Sequence, residues 1–207
     1  LTSTDTDVSE DYELPASGAW LNDNTAQGII ASTDDDYGAY YTWCAATANT
    51  CQVDGTPIET GDATSSICPK GWRMPTGGEN GEFQALYNKG SSDWAIDGDK
   101  GGRWFGGTNA TTGGAFFSAA GGIRSGNSFV SDMGSYGSYW SSTANSVTSA
   151  YSLGFNNNNI YPAISNNRQR SSGLTIRCLA PTSSTEFPDR FDEKDVEVIA
   201  VRVAPVI

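Results

Sequence analysis

Residues 68–88 read CPKGWRMPTGGENGEFQALYN, a stiff entry followed by a short amphipathic helix. Pro69 and Pro75 limit the backbone, and Gly71 permits a tight turn between them. Thr76 and Glu79 stand at capping-box spacing. Phe83, Leu86 and Tyr87 then recur at i, i+3 and i+4, the apolar face of a helix. The segment opens on one of four cysteines, Cys44, Cys51, Cys68 and Cys178, in a chain that has no histidine. An even count in a polar chain predicts two disulfides and an oxidising compartment. Three pairings are open; the favoured one joins Cys44 to Cys51 as a local clip and Cys68 to Cys178 as a long tie. Zinc is disfavoured, because no C-x-x-C pair and no imidazole is present.

Upstream, Tyr37–Trp43 reads as a strand entering a short helix over 44–48, after a turn at Asp34, Asp35 and Asp36. Residues 52–66 read as a polar loop. Downstream, 88–138 alternates glycine pairs with Trp104, Phe105, Phe116, Phe117 and Phe129, the pattern of irregular β structure. The glycine pairs carry no lysine at phosphate-loop spacing. Strands are predicted at 139–143, 150–155 and 174–178. The asparagine-rich stretch between the last two favours turns. Residues 1–16 form an acidic arm, expected to be held by the domain or by a neighbouring subunit. Residues 17–180 form the domain. Residues 181–207 are a linker and a C-terminal β-strand, the most β-prone run of the chain, carrying Val196, Val198, Ile199, Val201 and Val203.

The chain has 207 residues, enough for one sizeable domain with extensions. Its hydrophobic share is 37%, but 6 Trp, 9 Tyr and 8 Phe can build a core from few side chains. The formal net charge of −12 disfavours nucleic acid and anionic membranes as partners. No apolar run reaches the roughly 20 residues of a membrane span. The first residue is Leu1, and no leader-type segment is present, so either a leader has been removed or the chain has been trimmed.

Without histidine, Ser-His-Asp and Cys-His catalysis is excluded. Two carboxylate pairs, Asp97 with Asp99 and Glu79 with Glu82, read better as turn and cap residues than as an acid–base couple. No enzyme activity and no cofactor is expected. Asp34–Asp36 and Asp97–Asp99 offer oxygen ligands without completing an EF-hand, which leaves a structural calcium open but assigns no metal site.

The run at 68–88 resembles the opening of the Fibrobacter succinogenes major paralogous domain family. AAGGIRSGNSF, GSYGSYWSST, AYSLGF and GLTIRC follow in the family's order, and YGAYYTWCAATA fits its extended form. The resemblance spans roughly residues 37–180. It implies an α+β, C-type-lectin-like domain with short helices, irregular β structure and long loops, plus terminal extensions. Such a domain is similar to the variable proteins of diversity-generating retroelements and is found in surface proteins. In it, Trp140 is expected to pack the core rather than to stack on a ligand.

The function that follows is non-catalytic and extracellular: adhesion, or a repeating subunit of a cell-surface filament or layer. In an adhesin, a protein or glycan ligand on another surface would meet Asn145, Tyr151, Asn156, Asn157, Asn158, Asn159, Tyr161, Asn166 and Asn167, rigid tyrosine area beside adaptable amides. In a filament, Val196–Val203 would add as a strand to a neighbour's open sheet edge, giving a homo-polymer. Alternatives are a retroelement-diversified receptor, since asparagine codons are adenine-rich, and a calcium-dependent carbohydrate-binding module. Asn109-Ala-Thr111 is an N-glycosylation sequon.

Overall fold

The computed structural model describes residues 29–31, 37–124 and 129–180, apart from the side chains of 29–31 and 163–166. The acidic arm, Asp34–Asp36, the linker and Val196–Val203 lie outside the described residues. Strand is the predominant regular structure among the described residues, with two short α-helices.

Its centre is a four-stranded antiparallel sheet in the order β11-β10-β9-β5. Here β5 is Gly61–Asp62, β9 is Tyr136–Ser146, β10 is Ser149–Asn156 and β11 is Ile160–Gln169. A second sheet stacks β6 (Ala95–Asp97), β7 (Lys100–Phe105) and β8 (Ala115–Ser118) in sequence order. Two small ribbons complete the sheets: β1 (Ile29–Ala31) with β2 (Ala39–Tyr41), and β3 (Gln52–Val53) with β4 (Thr56–Pro57). Helix α1 is Trp43–Ala46 and helix α2 is Glu82–Asn88.

Strand alternation places two of the three core clusters on opposite faces of the central sheet; the third gathers Tyr40, Ala120 and Ile123. On β9 and β10, Tyr139, Leu153 and Phe155 join Phe83, Phe105 and Phe117 in an aromatic cluster. Trp140, Ala144 and Ala150 join Trp43, Met74, Leu174 and all four cysteines in the cluster on the other face. The central sheet is therefore covered on both faces. Phe155 lies directly opposite Gly137, where a Cβ would stand 2.1 Å from its ring, so the close packing requires glycine there. Trp140 is fully buried, as expected, and its indole N–H donates to the Tyr41 carbonyl at 2.8 Å. Trp43 donates to the Ser141 carbonyl at the same distance. A buried indole needs such a partner, and these two bonds tie the α1 region to β9.

Cys44 pairs with Cys51 and Cys68 with Cys178, the favoured pairing. The second bond spans 110 residues and joins the segment before α2 to the end of the domain.

Several expectations are corrected. Helix α1 starts at Trp43 and stops at Ala46, because Ala48 and Asn49 take positive φ. The polar loop at 52–66 contains three two-residue strands. Thr76 and Glu79 form no capping box: the N-cap of α2 is Gly81, and Thr76 pairs instead with Glu82. The Glu82 N–H donates to Thr76 Oγ1 at 3.0 Å, and the Thr76 N–H donates to the Glu82 carboxylate at 3.0 Å. Arg73 grips the same carboxylate with both terminal nitrogens. On the face of α2, Phe83 is buried and Leu86 packs beside it, but Tyr87 is exposed. Residues 174–178 form isolated bridges to Tyr41 and Tyr139 rather than a strand. The asparagine-rich stretch is mostly strand β11, and only 157–159 turn.

Candidate functional site

At one end of the four-stranded sheet, the face that elsewhere carries Trp140 and Ala150 is left open. Tyr136 stands opposite Asn156, and Ser138 opposite Gly154. The far wall comes from Gly122–Arg124 and from the segment Ser131–Ser135, which are held together by the Gly122–Ser131 bridge. Between the walls lies a groove of about 1120 Å³. That is at the upper end of small-molecule sites. Its wall is unusually polar for such a site. Among its aliphatic members, Ile123 and Leu174 are only 1% and 2% exposed.

The asparagine turn is a built feature of this groove. The side-chain oxygen of Asn156 accepts from the N–H groups of Asn158 and Asn159, each at 2.8 Å. The Asn156 N–H donates to the Asn159 carbonyl at 2.9 Å. Asn156 thus spends its own amide oxygen on closing the turn. From beneath, the buried Arg103 of β7 donates to the carbonyls of Asn156 and Asn157, at 2.9 and 2.6 Å, and to that of Ser92 at 2.8 Å. Burial lowers its pKa and the charge of Asp93 opposes the shift. With the turn fixed from both sides, Asn157 and Asn158 are exposed along the groove.

Arg168 of β11 supplies the groove's ordered cation. Its guanidinium lies 5.6 Å from the Tyr136 ring centroid and donates to the Tyr136 hydroxyl at 3.2 Å. No carboxylate is paired with it among the described residues. Burial raises the Tyr136 pKa, and the Arg168 charge and hydrogen bond only partly oppose it, so the phenol stays protonated. A second cation, Arg124, stands 3.9 Å from Asp132, with both side chains well exposed. Such a pair is weak and solvated.

The predicted contact residues separate accordingly. Asn156, Asn157, Asn158 and Asn167 line the groove. Asn159 is exposed in the same turn but off the wall. Tyr161, half-buried, lies across β10 opposite Gly154. Asn145 does not line the groove but donates at 3.0 Å to the Oγ of Ser149, a groove-lining residue of the β9–β10 hairpin. Tyr151 packs against the aromatic cluster. Asn166 belongs to β11, but its side chain is outside the described residues. Sequence reasoning missed Tyr136, Arg168 and the Ser131–Ser135 wall. The available signal was Arg168 itself, a cation directly after Asn166 and Asn167.

Elsewhere, a smaller concavity of about 540 Å³ includes Asp62, Trp72, Arg73, Glu82 and Ser142. Its polar groups are already matched: Asp62 accepts from Ser142 and Thr143, and Glu82 from Arg73 and Thr76. Burial alone would raise the Glu82 pKa, yet the bonds from Arg73 and Thr76 outweigh it and hold the carboxyl below its usual range. Glu79 is exposed, outside α2. Asp97 and Asp99 sit at the β6–β7 turn, with Asp99 3.6 Å from the Lys100 ammonium. Among the described residues, no three His, Cys, Asp or Glu side chains come together as a metal site. Asn109 is exposed and caps the 3-10 helix Ala110–Thr112, accepting from the Thr112 N–H at 3.0 Å. No helix among the described residues is long and apolar enough to cross a membrane.

The model of one family, the Fibrobacter succinogenes major domain, matches residues 7–180. No curated protein and no solved structure matches the chain.

Proposed function

The chain belongs to the Fibrobacter succinogenes major domain family, and from that premise we propose that it is a non-catalytic, extracellular surface protein that adheres to a ligand on another surface through the Tyr136–Arg168 groove. The observation that carries this reading is the construction of the groove. Arg103 and Asn156 spend their hydrogen bonds on fixing a turn whose next residues, Asn157 and Asn158, are presented to solvent. A rigid frame displaying unspent amides is suited to recognition.

The remaining chemistry supports binding over turnover. The chain has no histidine, both disulfides consume its cysteines, and Glu82 is locked in an ion pair. The disulfides support an oxidising, extracellular setting. The C-type-lectin-like reading of the body draws support from its short helices, its irregular β structure and the long Cys68–Cys178 tie.

Asn167→Trp tests the reading. Asn167 is exposed on a strand, where tryptophan is well tolerated, and its new side chain would fill the groove. Beads coated with the wild-type chain are expected to adhere to surfaces bearing neutral or acidic polysaccharides or proteins. Beads coated with the variant should lose most of that adhesion while its thermal midpoint is unchanged. Equal adhesion by both proteins would remove the groove from the function.

A further inference from the structure

The groove's charge and hydrogen-bonding groups name a class of ligand. Among the described residues, Arg103, Arg168, Arg170 and Arg177 form no ion pair with a carboxylate, and of these four Arg168 alone is not buried. Arg168 is held by the Tyr136 ring and hydroxyl, which engage one face and one nitrogen. The rest of its planar fork remains for a ligand, and that fork matches a carboxylate in a bidentate way. Around it stand groups that both donate and accept: the amides of Asn157, Asn158 and Asn167 and the hydroxyl of Ser135. This is the complement of a polyhydroxylated ring. The wall's aliphatic side chains, Ile123 and Leu174, are covered. A peptide without apolar anchors there would depend on its main chain, and the groove is walled largely by side chains and turns.

We propose that the groove binds a carboxylate-bearing saccharide, with Arg168 on the carboxylate and the asparagine turn on neighbouring hydroxyls. The proposal rests on the adhesive reading of this groove and deepens it. Arg168 selects the acidic sugar over its neutral counterpart, and it keeps an otherwise repulsive acidic protein attached at that point. Because the contact is charge-assisted and partly exposed, it weakens as salt rises.

Binding to the whole chain would be measured by calorimetry with three sets of probes: oligosaccharides of uronic and sialic acids, the methyl esters of the same sugars, and an oligo-aspartate peptide. At least one acidic sugar is expected to bind at least ten-fold more tightly than its ester, with affinity falling between low salt and 0.5 M salt. Arg168→Gln should abolish that preference. Asn158→Asp, a change at an exposed turn position that leaves the Asn156 bonds in place, should weaken the acidic sugar several-fold and spare the ester. Sugars that bind equally well as acids and as esters would overturn the role of Arg168 and leave the adhesive groove standing. Oligo-aspartate binding as tightly as the sugars would overturn the saccharide class. No binding by any probe, while beads coated with the Asn167→Trp variant still lose the adhesion that wild-type beads show, would overturn the saccharide proposal alone. If that adhesion difference is absent too, both readings fail.

Discussion

At the scale of single residues, the chain handles buried polarity in two opposite ways. Arg170 has no exposed surface, yet each of its nitrogens is engaged. Nε and Nη1 donate to the carbonyls of Ser149 and Cys51 at 3.4 Å, and Nη2 to Ile58 at 2.5 Å. Its guanidinium also lies 4.4 Å from the Trp43 ring centroid. Burial pushes its pKa down to about 10, which still leaves it charged at neutral pH. Tyr41 is the contrary case. Its backbone is fully used, exchanging hydrogen bonds with Leu174 and accepting from Trp140, while its buried hydroxyl has no partner among the described residues. Burial raises that hydroxyl's pKa far above the usual phenol range. An orphaned buried hydroxyl loses its water without compensation, typically about 1–3 kcal/mol. Tyr41→Phe keeps the ring and removes the orphan, so it should stabilise the chain by about 1 kcal/mol in urea unfolding. A lower urea midpoint would mean that the hydroxyl has a partner after all.

At the scale of elements, the β10–β11 hairpin shows both what the sequence discloses and what it conceals. The segments YGSYWSST and AYSLGF read as strands and coincide with β9 and β10, which are buried on both faces with neighbouring side chains in separate clusters. The helix at 82–88 is legible from Phe83 and Leu86. Strand β11 is not, since asparagine and proline disfavour strands and Asn166, Asn167 and Pro162 all lie within it. Pairing with β10 overrides that local preference, with a register shift between Tyr151 and Leu153 absorbing the misfit. The Thr76–Glu82 clasp was hidden because its partners are six residues apart rather than three. The groove was half-legible: the asparagine run announced a polar turn, but Tyr136 and Arg168 meet only once β9 and β11 flank β10. Arg103 was invisible as a support because it lies more than fifty residues before the turn it holds. Arg103→Met keeps the buried stem and removes three donors. Amide hydrogen exchange at Asn158 and Asn159 should accelerate at least ten-fold, while exchange in α2 stays unchanged. Loss of protection across the whole chain would instead make Arg103 a general stabiliser rather than a clamp on the turn.

At the scale of the molecule, the two disulfides restrain very different lengths of chain, and this sets their relative importance. Cys44–Cys51 closes a separation of 7 residues around the end of α1, a region already fixed by Trp43, Arg170 and the Ile67 N–H bond to Ala46. Cys68–Cys178 closes a separation of 110 and encloses α2, the second sheet and the long hairpins. Beside it, Arg73 and Leu179 exchange backbone hydrogen bonds, so the tie sits where the segment before α2 meets the stretch that follows β11. Loop-closure entropy grows with the logarithm of loop length, giving about 2–3 kcal/mol for the short clip and about 4–5 kcal/mol for the long tie. All four sulfurs belong to the same buried cluster, so the packing lost on Cys→Ala is similar for the two pairs and the difference isolates loop length. In urea unfolding, the Cys68→Ala/Cys178→Ala variant should therefore lose about 2 kcal/mol more than the Cys44→Ala/Cys51→Ala variant. Equal losses would show that these bonds act through native packing rather than through restraint of the unfolded chain. A greater loss from the short clip would place the weak point of the molecule at α1, where Arg170 relies on the Cys51 carbonyl.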